Sequence, residues 1–300
     1  MLRKFLFLQI ALLALAMQGQ EAEGIEVLTF TYRDTLQLDF YSRNHSNDGE
    51  RPLIILMHGG GFASGKRDNP KERQFCTALA NKGIAVASIS YRLTRQKDSF
   101  GCDCDSKSKV ETFVQATEDL MDAIHFLSGK ESLYFDRERM VAAGSSAGAE
   151  TVLHAAFMLR DYRFRHIRPY RLAGLISMSG AMLNKGYISP ENAIPALLIH
   201  GSKDELVPYE SDAHHFCDAD TPGYLILDGA KTIAQRLHDL QSPYILVTDP
   251  GADHGVAGRS LGQTDLIARF VEELVMERKF VQKELTWTDP ETTTPSANEP

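Results

Sequence analysis

The sequence lacks an excess of positive charge. Its 300 residues include 32 Lys and Arg against 40 Asp and Glu, which gives a formal net charge of −8 at pH 7. An acidic surface repels the phosphate backbone of nucleic acids, so the composition argues against a nucleic-acid partner. The sequence also lacks internal repeats, and 43% of its residues are hydrophobic, which is enough for the core of one large domain.

The sequence also lacks an apolar run of the roughly 20 residues that a membrane-spanning helix needs. At the amino terminus, Arg3 and Lys4 precede a shorter apolar run over residues 5–16, and small and polar residues follow. This order is typical of a signal peptide that is removed after export. We therefore predict a signal peptide over residues 1–19, no stable membrane anchor, and an exported protein that is either periplasmic or fully secreted.

Cysteine is scarce, and the four cysteines are Cys76, Cys102, Cys104 and Cys217. In an oxidising compartment an even number permits one or two disulfides, and four thiols allow three full pairings. A bridge from Cys102 or Cys104 to Cys217 would link two loops, whereas Cys76 lies in a helical pattern and is expected to be a buried thiol. The Cys102, Cys104 pair has no His at ligand spacing, so we predict no metal site and no cofactor.

Two kinds of strand pattern divide the chain. Residues 25–32 and 35–41 alternate between apolar and polar side chains, which predicts an antiparallel hairpin. Later apolar runs without alternation are typical of strands buried on both faces, at residues 53–57, 84–89, 140–143, 172–178, 196–199 and 244–247. Helical patterns lie at residues 72–81, 110–127, 147–159, 231–240 and 264–278. This alternation predicts an α/β fold, with an amino-terminal antiparallel hairpin, a mostly parallel central sheet and helices on both faces.

The last residues have a different composition. Residues 286–300 contain five Thr, three Pro and three acidic residues, with Trp287 as the only large apolar side chain. Such a composition buries too little apolar surface to order a chain. We predict a single catalytic domain over residues 24–280 and a disordered tail over residues 286–300.

The strongest motif is the pentapeptide Gly144-Ser145-Ser146-Ala147-Gly148, which follows an apolar strand pattern and begins a helical one. A tight turn from strand to helix holds its central Ser in a strained conformation, so the flanking residues must be small. The turn exposes the Ser146 hydroxyl, and the helix start directs N–H groups towards developing negative charge. The spacing predicts Ser146, and not Ser145, as a nucleophile.

A glycine-rich loop accompanies this motif. His58, Gly59, Gly60 and Gly61 directly follow the strand pattern at residues 53–57, and three glycines allow backbone N–H groups to approach a ligand. With this loop the sequence resembles the α/β-hydrolase serine esterases of the hormone-sensitive-lipase-like and carboxylesterase group. The resemblance implies an α/β-hydrolase fold and an oxyanion hole formed by the N–H groups of Gly60, Gly61 and Ala147, with His58 shaping the loop.

The acid of a triad is expected on a turn after a later strand. Asp204 follows the strand pattern at residues 196–199, and its D-x-x-V-P spacing to Pro208 is typical of the acid in α/β-hydrolases. Such an acid holds the imidazole in one tautomer and stabilises the imidazolium. We predict Asp204 for this role rather than its neighbour Glu205, or Asp253, which is adjacent to the candidate base.

The base is selected among ten histidines by chain order. His254 lies on a Gly-bounded loop after the strand pattern at residues 244–247, and the order Ser, Asp, His is that of the α/β-hydrolases. His200 is expected within its strand, while His214 and His215 lie in a long connection where surface positions are the simple expectation. We predict His254 as the general base.

These motifs predict a serine esterase that forms an acyl-enzyme on Ser146 and acts on small-molecule or carbohydrate-linked esters, with short acyl chains. Ser145 and Ala149 depart from the related esterases, which usually have an acidic residue and a Gly there, so the subgroup stays open. Few residues precede His58, which excludes a large amino-terminal cap; residues 96–109 and 209–229 are the candidates for covering the site.

Four alternative functions stay open. An uncapped site would suit acetyl or feruloyl groups on carbohydrate. A prolyl-oligopeptidase-like peptidase shares the triad but lacks the glycine-rich loop, and a lipase needs a large apolar lid. A non-catalytic binding module of esterase ancestry would normally have lost one of the three triad residues.

Overall fold

The computed structural model describes residues 24–43, 51–288 and 292. The predicted signal peptide lies outside the described residues. In chain order the elements are β1 (Ile25–Arg33), β2 (Leu36–Arg43), β3 (Leu53–Met57), α1 (Pro70–Asn81), β4 (Ala85–Ile89), α2 (Ser106–Ser128), β5 (Met140–Ser145), α3 (Ala147–Phe157), β6 (Gly174–Met178), β7 (Ala181–Met182), β8 (Ala196–Gly201), β9 (Ser211–Ala213), β10 (Ile226–Gly229), α4 (Ala230–Asp239), β11 (Tyr244–Asp249), α5 (Val256–Arg259), α6 (Thr264–Phe270) and β12 (Gln282–Thr286). A π-helical turn, Val271–Met276, continues α6, and short 3₁₀ turns lie at Lys185–Tyr187, His214–Phe216 and Ser260–Gly262.

Nine strands form the main sheet in the order β1-β2-β4-β3-β5-β6-β8-β11-β12. The pairs β1·β2 and β2·β4 are antiparallel, and every pair from β4 to β12 is parallel. This arrangement confirms the predicted mostly parallel sheet with an amino-terminal antiparallel hairpin. In a parallel sheet the loops at the carboxyl ends of the strands meet at one edge, which is where the candidate residues after β3, β5, β8 and β11 come together.

Helices cover both faces of the sheet. In β3, Leu53, Ile55 and Met57 belong to one core cluster and the intervening Ile54 and Leu56 to another. The first cluster contains side chains of α2, α3 and α4, and the second contains side chains of α1 and α6. Because successive side chains of a strand point to opposite faces, a strand buried on both faces has no polar alternation.

The carboxyl-terminal strand β12 was not predicted from the sequence. It pairs in parallel with β11, yet of its five residues only Leu285 is buried. The main chain continues the pairing, since the N–H of Trp287 donates to the carbonyl of Thr248 at 2.8 Å. The sheet therefore continues past residue 280, where we predicted the end of the domain, and Thr286 belongs to a strand rather than to the predicted tail. Residues 289–291 and 293–300 of that tail lie outside the described residues.

A second, smaller sheet lies in the order β7-β10-β9. Its strands β9 and β10 lie within residues 209–229, one of the two segments predicted to cover the site. A disulfide joins Cys102, in the loop after β4, to Cys217, directly after the 3₁₀ turn that follows β9. Cys76 and Cys104 are buried free thiols, as expected for Cys76. The two candidate covering segments are thus covalently linked.

Candidate active site

The turn between β5 and α3 holds Ser146 in an unusual backbone conformation, with φ 53° and ψ −122°. A residue other than glycine adopts a positive φ only at an energetic cost. The surrounding structure must therefore enforce this conformation at Ser146. The neighbouring glycines permit the necessary close contacts. A Cβ on Gly144 would lie 2.2 Å from the carbonyl of Gly148, and a Cβ on Gly148 would lie 2.2 Å from the carbonyl oxygen of Met57. No other residue fits at either glycine without displacing main chain.

Ser146, His254 and Asp204 lie in one hydrogen-bonded row. The Oγ of Ser146 is 2.7 Å from Nε2 of His254, and Nδ1 of His254 is 2.7 Å from Oδ2 of Asp204. A carboxylate accepts from Nδ1–H, which leaves Nε2 as the acceptor for the Ser146 hydroxyl proton. The arrangement matches the geometry needed to remove that proton as the hydroxyl attacks.

Asp204 is 3% exposed and is surrounded by donors. Its Oδ1 accepts from the N–H groups of Leu206 and Val207, each at 2.9 Å. Burial raises the pKa of Asp204, but hydrogen bonds from His200 and His254 outweigh burial and hold the pKa well below its ordinary value of 3.8. Asp204 is therefore a carboxylate at neutral pH.

His200 is a second histidine on the same carboxylate. It lies in β8 as predicted, is fully buried, and its Nε2 is 3.2 Å from Oδ2 of Asp204 and 3.1 Å from the carbonyl of Val207. A hydrogen on Nε2 is thus shared between two acceptors. The sequence alone does not reveal this role, although His200 and Asp204 are four residues apart and that spacing is the one local signal of their contact.

The side chain of Ser145 connects two segments that support the row. Its Oγ donates to the carbonyl of Ala257 in α5 at 3.0 Å, and the side chain is buried. The related esterases usually have an acidic residue at this position, and this chain has the neutral Ser145. Its hydrogen bond joins the Ser146 turn to the segment after His254.

The glycine-rich loop lies directly beside Ser146. A Cβ on Gly59 would be 3.2 Å from the Cβ of Ser146, and Gly60 and Gly61 have φ values of 117° and 60°. Within the described part of the chain, the N–H groups of Gly60 and Gly61 have no hydrogen-bond partner, and they are available to an oxygen atom. His58 Nδ1 is 2.7 Å from the carbonyl of Gly59, and its ring stacks on Tyr91, so this side chain shapes the loop.

A cavity of about 490 Å³ opens in front of Ser146. Its wall includes the glycine-rich loop, His254, and Phe100, His214 and His215 from the two predicted covering segments. His214 is fully buried, which corrects the expectation of a surface position. A larger cavity of about 750 Å³ lies near Arg139, Ala173, Pro195 and Pro243, at the amino ends of the strands and away from Ser146.

Neither a metal centre nor a membrane span is present in the described ranges 24–43, 51–288 and 292. No group of three or more His, Cys, Asp or Glu side chains there could hold a metal ion. No helix in these ranges has the length and apolarity needed to cross a bilayer.

Comparison with known proteins gives one family match and a set of structural neighbours. The family model BD-FAE matches residues 38–168, a range that contains the glycine-rich loop and Ser146 and ends before Asp204 and His254. A search of curated protein sequences gives no significant match.

The structural neighbours include esterases. The esterase Est22 is 14% identical with a TM-score of 0.56, and the alignment covers 83% of this chain and 82% of Est22. Thermogutta terrifontis esterase 2 with bound butyrate is 18% identical with a TM-score of 0.59, over 87% of this chain and 96% of that one. The same esterase phosphorylated by paraoxon has a TM-score of 0.58 at 18% identity, over 87% and 96% of the two chains. At such identities these likenesses establish the fold.

Proposed function

We propose that this chain, an α/β-hydrolase related to the esterases, hydrolyses carboxylic esters with Ser146 as nucleophile, His254 as base and Asp204 as the acid that orients the base. The single observation that carries the proposal is the row of two 2.7 Å contacts from Ser146 Oγ through His254 to Asp204. Support also comes from the φ of 53° at Ser146, which only a tightly enforced turn sustains.

The reaction follows from these contacts. As the Ser146 oxygen bonds to the ester carbonyl carbon, its proton passes to Nε2 of His254, and the carbonyl oxygen becomes an anion. The N–H groups of Gly60, Gly61 and Ala147 are proposed to bind that anion; one such donor is worth about 3 kcal/mol. The C–O bond to the alcohol then breaks, the alcohol takes the proton from His254, and water repeats the sequence to release the acid.

We further propose short acyl chains as substrates. The cavity in front of Ser146 is about 490 Å³ and open to solvent, and it has polar residues such as Lys71 and Glu72 in its wall. Thermogutta terrifontis esterase 2 has been solved with propionate and with butyrate bound.

Export is a further proposal. The disulfide between Cys102 and Cys217 supports an oxidising compartment, because cytosolic proteins rarely keep structural disulfides. Mass spectrometry of the full chain expressed in a secreting host is expected to give a product that starts near Gln20; an intact Met1 in the exported fraction would contradict the proposed signal peptide.

The substrate range is tested with p-nitrophenyl acetate, butyrate and decanoate on the purified chain. We expect the highest kcat/KM with acetate or butyrate and a marked drop with decanoate. Paraoxon is expected to inactivate the protein by forming an Oγ–P bond at Ser146 with loss of p-nitrophenolate, which intact mass measurement detects. A folded protein that hydrolyses none of the three esters and gains no mass would overturn the proposed function.

The pH dependence follows from the state of His254. Burial lowers the pKa of His254, but the hydrogen bond and charge of Asp204 outweigh it and raise the pKa above the ordinary value of 6.5. Because only the neutral imidazole acts as base, kcat/KM for p-nitrophenyl butyrate should fall by about tenfold per pH unit below that pKa. A profile measured from pH 5 to 9 is expected to reach its half-maximum above pH 6.5; a midpoint below this value would contradict the assignment.

A further inference from the structure

Three polar side chains that the proposed reaction does not use line the cavity beside Ser146. They are Glu150 in the first turn of α3, and His214 and His215 in the 3₁₀ turn after β9; together they are called the Glu150 cluster. Glu150 is 2% exposed and His214 is 0% exposed. The Nε2 of His214 lies 3.3 Å from Oε1 of Glu150.

The buried atoms of this cluster are poorly satisfied. The contact between Nε2 of His214 and Oε1 of Glu150 lacks hydrogen-bond geometry, so among the described residues these two atoms and Nδ1 of His214 have no hydrogen-bond partner. A buried polar atom without a partner costs about 1–3 kcal/mol, and native structures contain few of them. Such atoms, on two residues that line one cavity next to a nucleophile, favour a ligand that brings polar groups of its own.

The charge state of the cluster selects the kind of ligand. Burial raises the pKa of Glu150 to about 8, and burial lowers the pKa of His214 to about 3 and of His215 to about 4. At neutral pH the cluster is therefore mainly a neutral carboxyl group with two neutral imidazoles. It offers both donors and acceptors but no fixed charge for an ionic ligand. A hydroxyl group, which both donates and accepts, has the matching chemistry.

The position of the two histidines is enforced by the fold. His215 and Phe216 both have left-handed backbone conformations, with φ 59° and 50°. The N–H of His214 donates to the carbonyl of Leu225, and the N–H of His215 donates to the carbonyl of Leu206, each at 2.8 Å. Cys217 follows directly and is bonded to Cys102. A rigid subsite of this kind loses little entropy when it binds a ligand.

We propose that the Glu150 cluster binds a hydroxyl group of the ester substrate. The inference rests on the proposed function, since it describes part of the substrate of the same site. The hydroxyl belongs either to the acyl group or to the alcohol, and the chemistry of recognition is the same in both cases. The cluster is thus a specificity determinant beyond Ser146, Asp204 and His254.

The test uses pairs of esters in which a methyl group is exchanged for a hydroxyl. The acyl arm compares p-nitrophenyl 3-methylbutyrate with p-nitrophenyl 3-hydroxybutyrate, and the alcohol arm compares propyl acetate with 2-hydroxyethyl acetate in a pH-stat. In one arm the wild type is expected to prefer the hydroxyl ester by about tenfold or more in kcat/KM. Ratios near one in both arms, with the esters still hydrolysed, would overturn the subsite alone, whereas no hydrolysis of any ester would overturn the proposed function.

Variants decide whether the Glu150 cluster carries the preference. Glu150→Leu is expected to bring the ratio near one, while Glu150→Gln, which still donates and accepts, restores most of it. His214→Phe retains packing against Phe100 and Phe113 and tests the cluster should Glu150→Leu not fold. Glu72→Leu is the matched control, because it replaces a glutamate with leucine elsewhere on the cavity wall. It is expected to keep the wild-type ratio of kcat/KM between the hydroxyl and methyl esters. A preference that survives both Glu150→Leu and His214→Phe would contradict the proposal.

Discussion

Replacing Ser146 with alanine is expected to lower kcat for p-nitrophenyl butyrate by at least about 10⁴-fold, because the acyl-enzyme can no longer form. The residual rate is expected to come from substrate binding and from the proposed oxyanion hole of the Gly60, Gly61 and Ala147 N–H groups. The variant should fold, since it removes one small, partly buried hydroxyl and its hydrogen bond to His254. Initial rates under saturating substrate give kcat, and circular dichroism verifies the fold.

Ser145→Ala is the matched control for this prediction. It removes the neighbouring hydroxyl and its hydrogen bond to the carbonyl of Ala257, which is worth about 1 kcal/mol of stability. We expect Ser145→Ala to be phosphorylated by paraoxon and Ser146→Ala to remain unmodified. Labelling of Ser146→Ala at the rate of the wild type would show that another residue is the nucleophile.

Replacing Asp204 with asparagine is expected to lower kcat by about 10⁴-fold, because the amide no longer holds His254 in the tautomer that accepts the Ser146 proton. The pH profile distinguishes this effect from damage to the fold. Asp204 is what raises the pKa of His254, so its neutral replacement should move the acid limb of the residual activity to lower pH. Steady-state rates from pH 5 to 9 measure both effects.

Asp253→Asn provides the comparison. Asp253 is adjacent to His254 in sequence, but it is exposed and its carboxylate accepts from the N–H of Gly255 instead. The same substitution there is expected to leave kcat nearly unchanged. Loss of activity in Asp253→Asn with retention in Asp204→Asn would reverse the assignment of the acid.

The candidate site was largely predictable because its motifs are local. The turn at Ser146 needs small residues at Gly144 and Gly148, since their Cβ atoms would meet main chain at 2.2 Å, and such steric demands are written in adjacent residues. The buried strands likewise appear as short apolar runs. In contrast, β12 has one buried residue out of five, so its pairing with β11 leaves little trace in its composition.

Long-range partners were not predictable in the same way. The sequence left open whether Cys102 or Cys104 bonds to Cys217, and the structure pairs Cys102. His214 was expected at the surface, yet it is fully buried because the covering segment folds over the cavity and against Phe100. Hydropathy of a single polar residue does not reveal whether a distant segment covers it.

By itself the sequence determined the α/β class, the amino-terminal hairpin, the strands buried on both faces and the candidate Ser146, because turn sterics and burial act on neighbouring residues. The candidates Asp204 and His254 rested on the chain order that the resemblance to the α/β-hydrolases implies. Only the tertiary structure decided that His200 shares the Asp204 carboxylate and that Glu150 meets His214 inside the cavity. These contacts, and the pKa shifts that follow from them, depend on how segments that are distant in the sequence pack together and on how much water they exclude. No local pattern encodes either property.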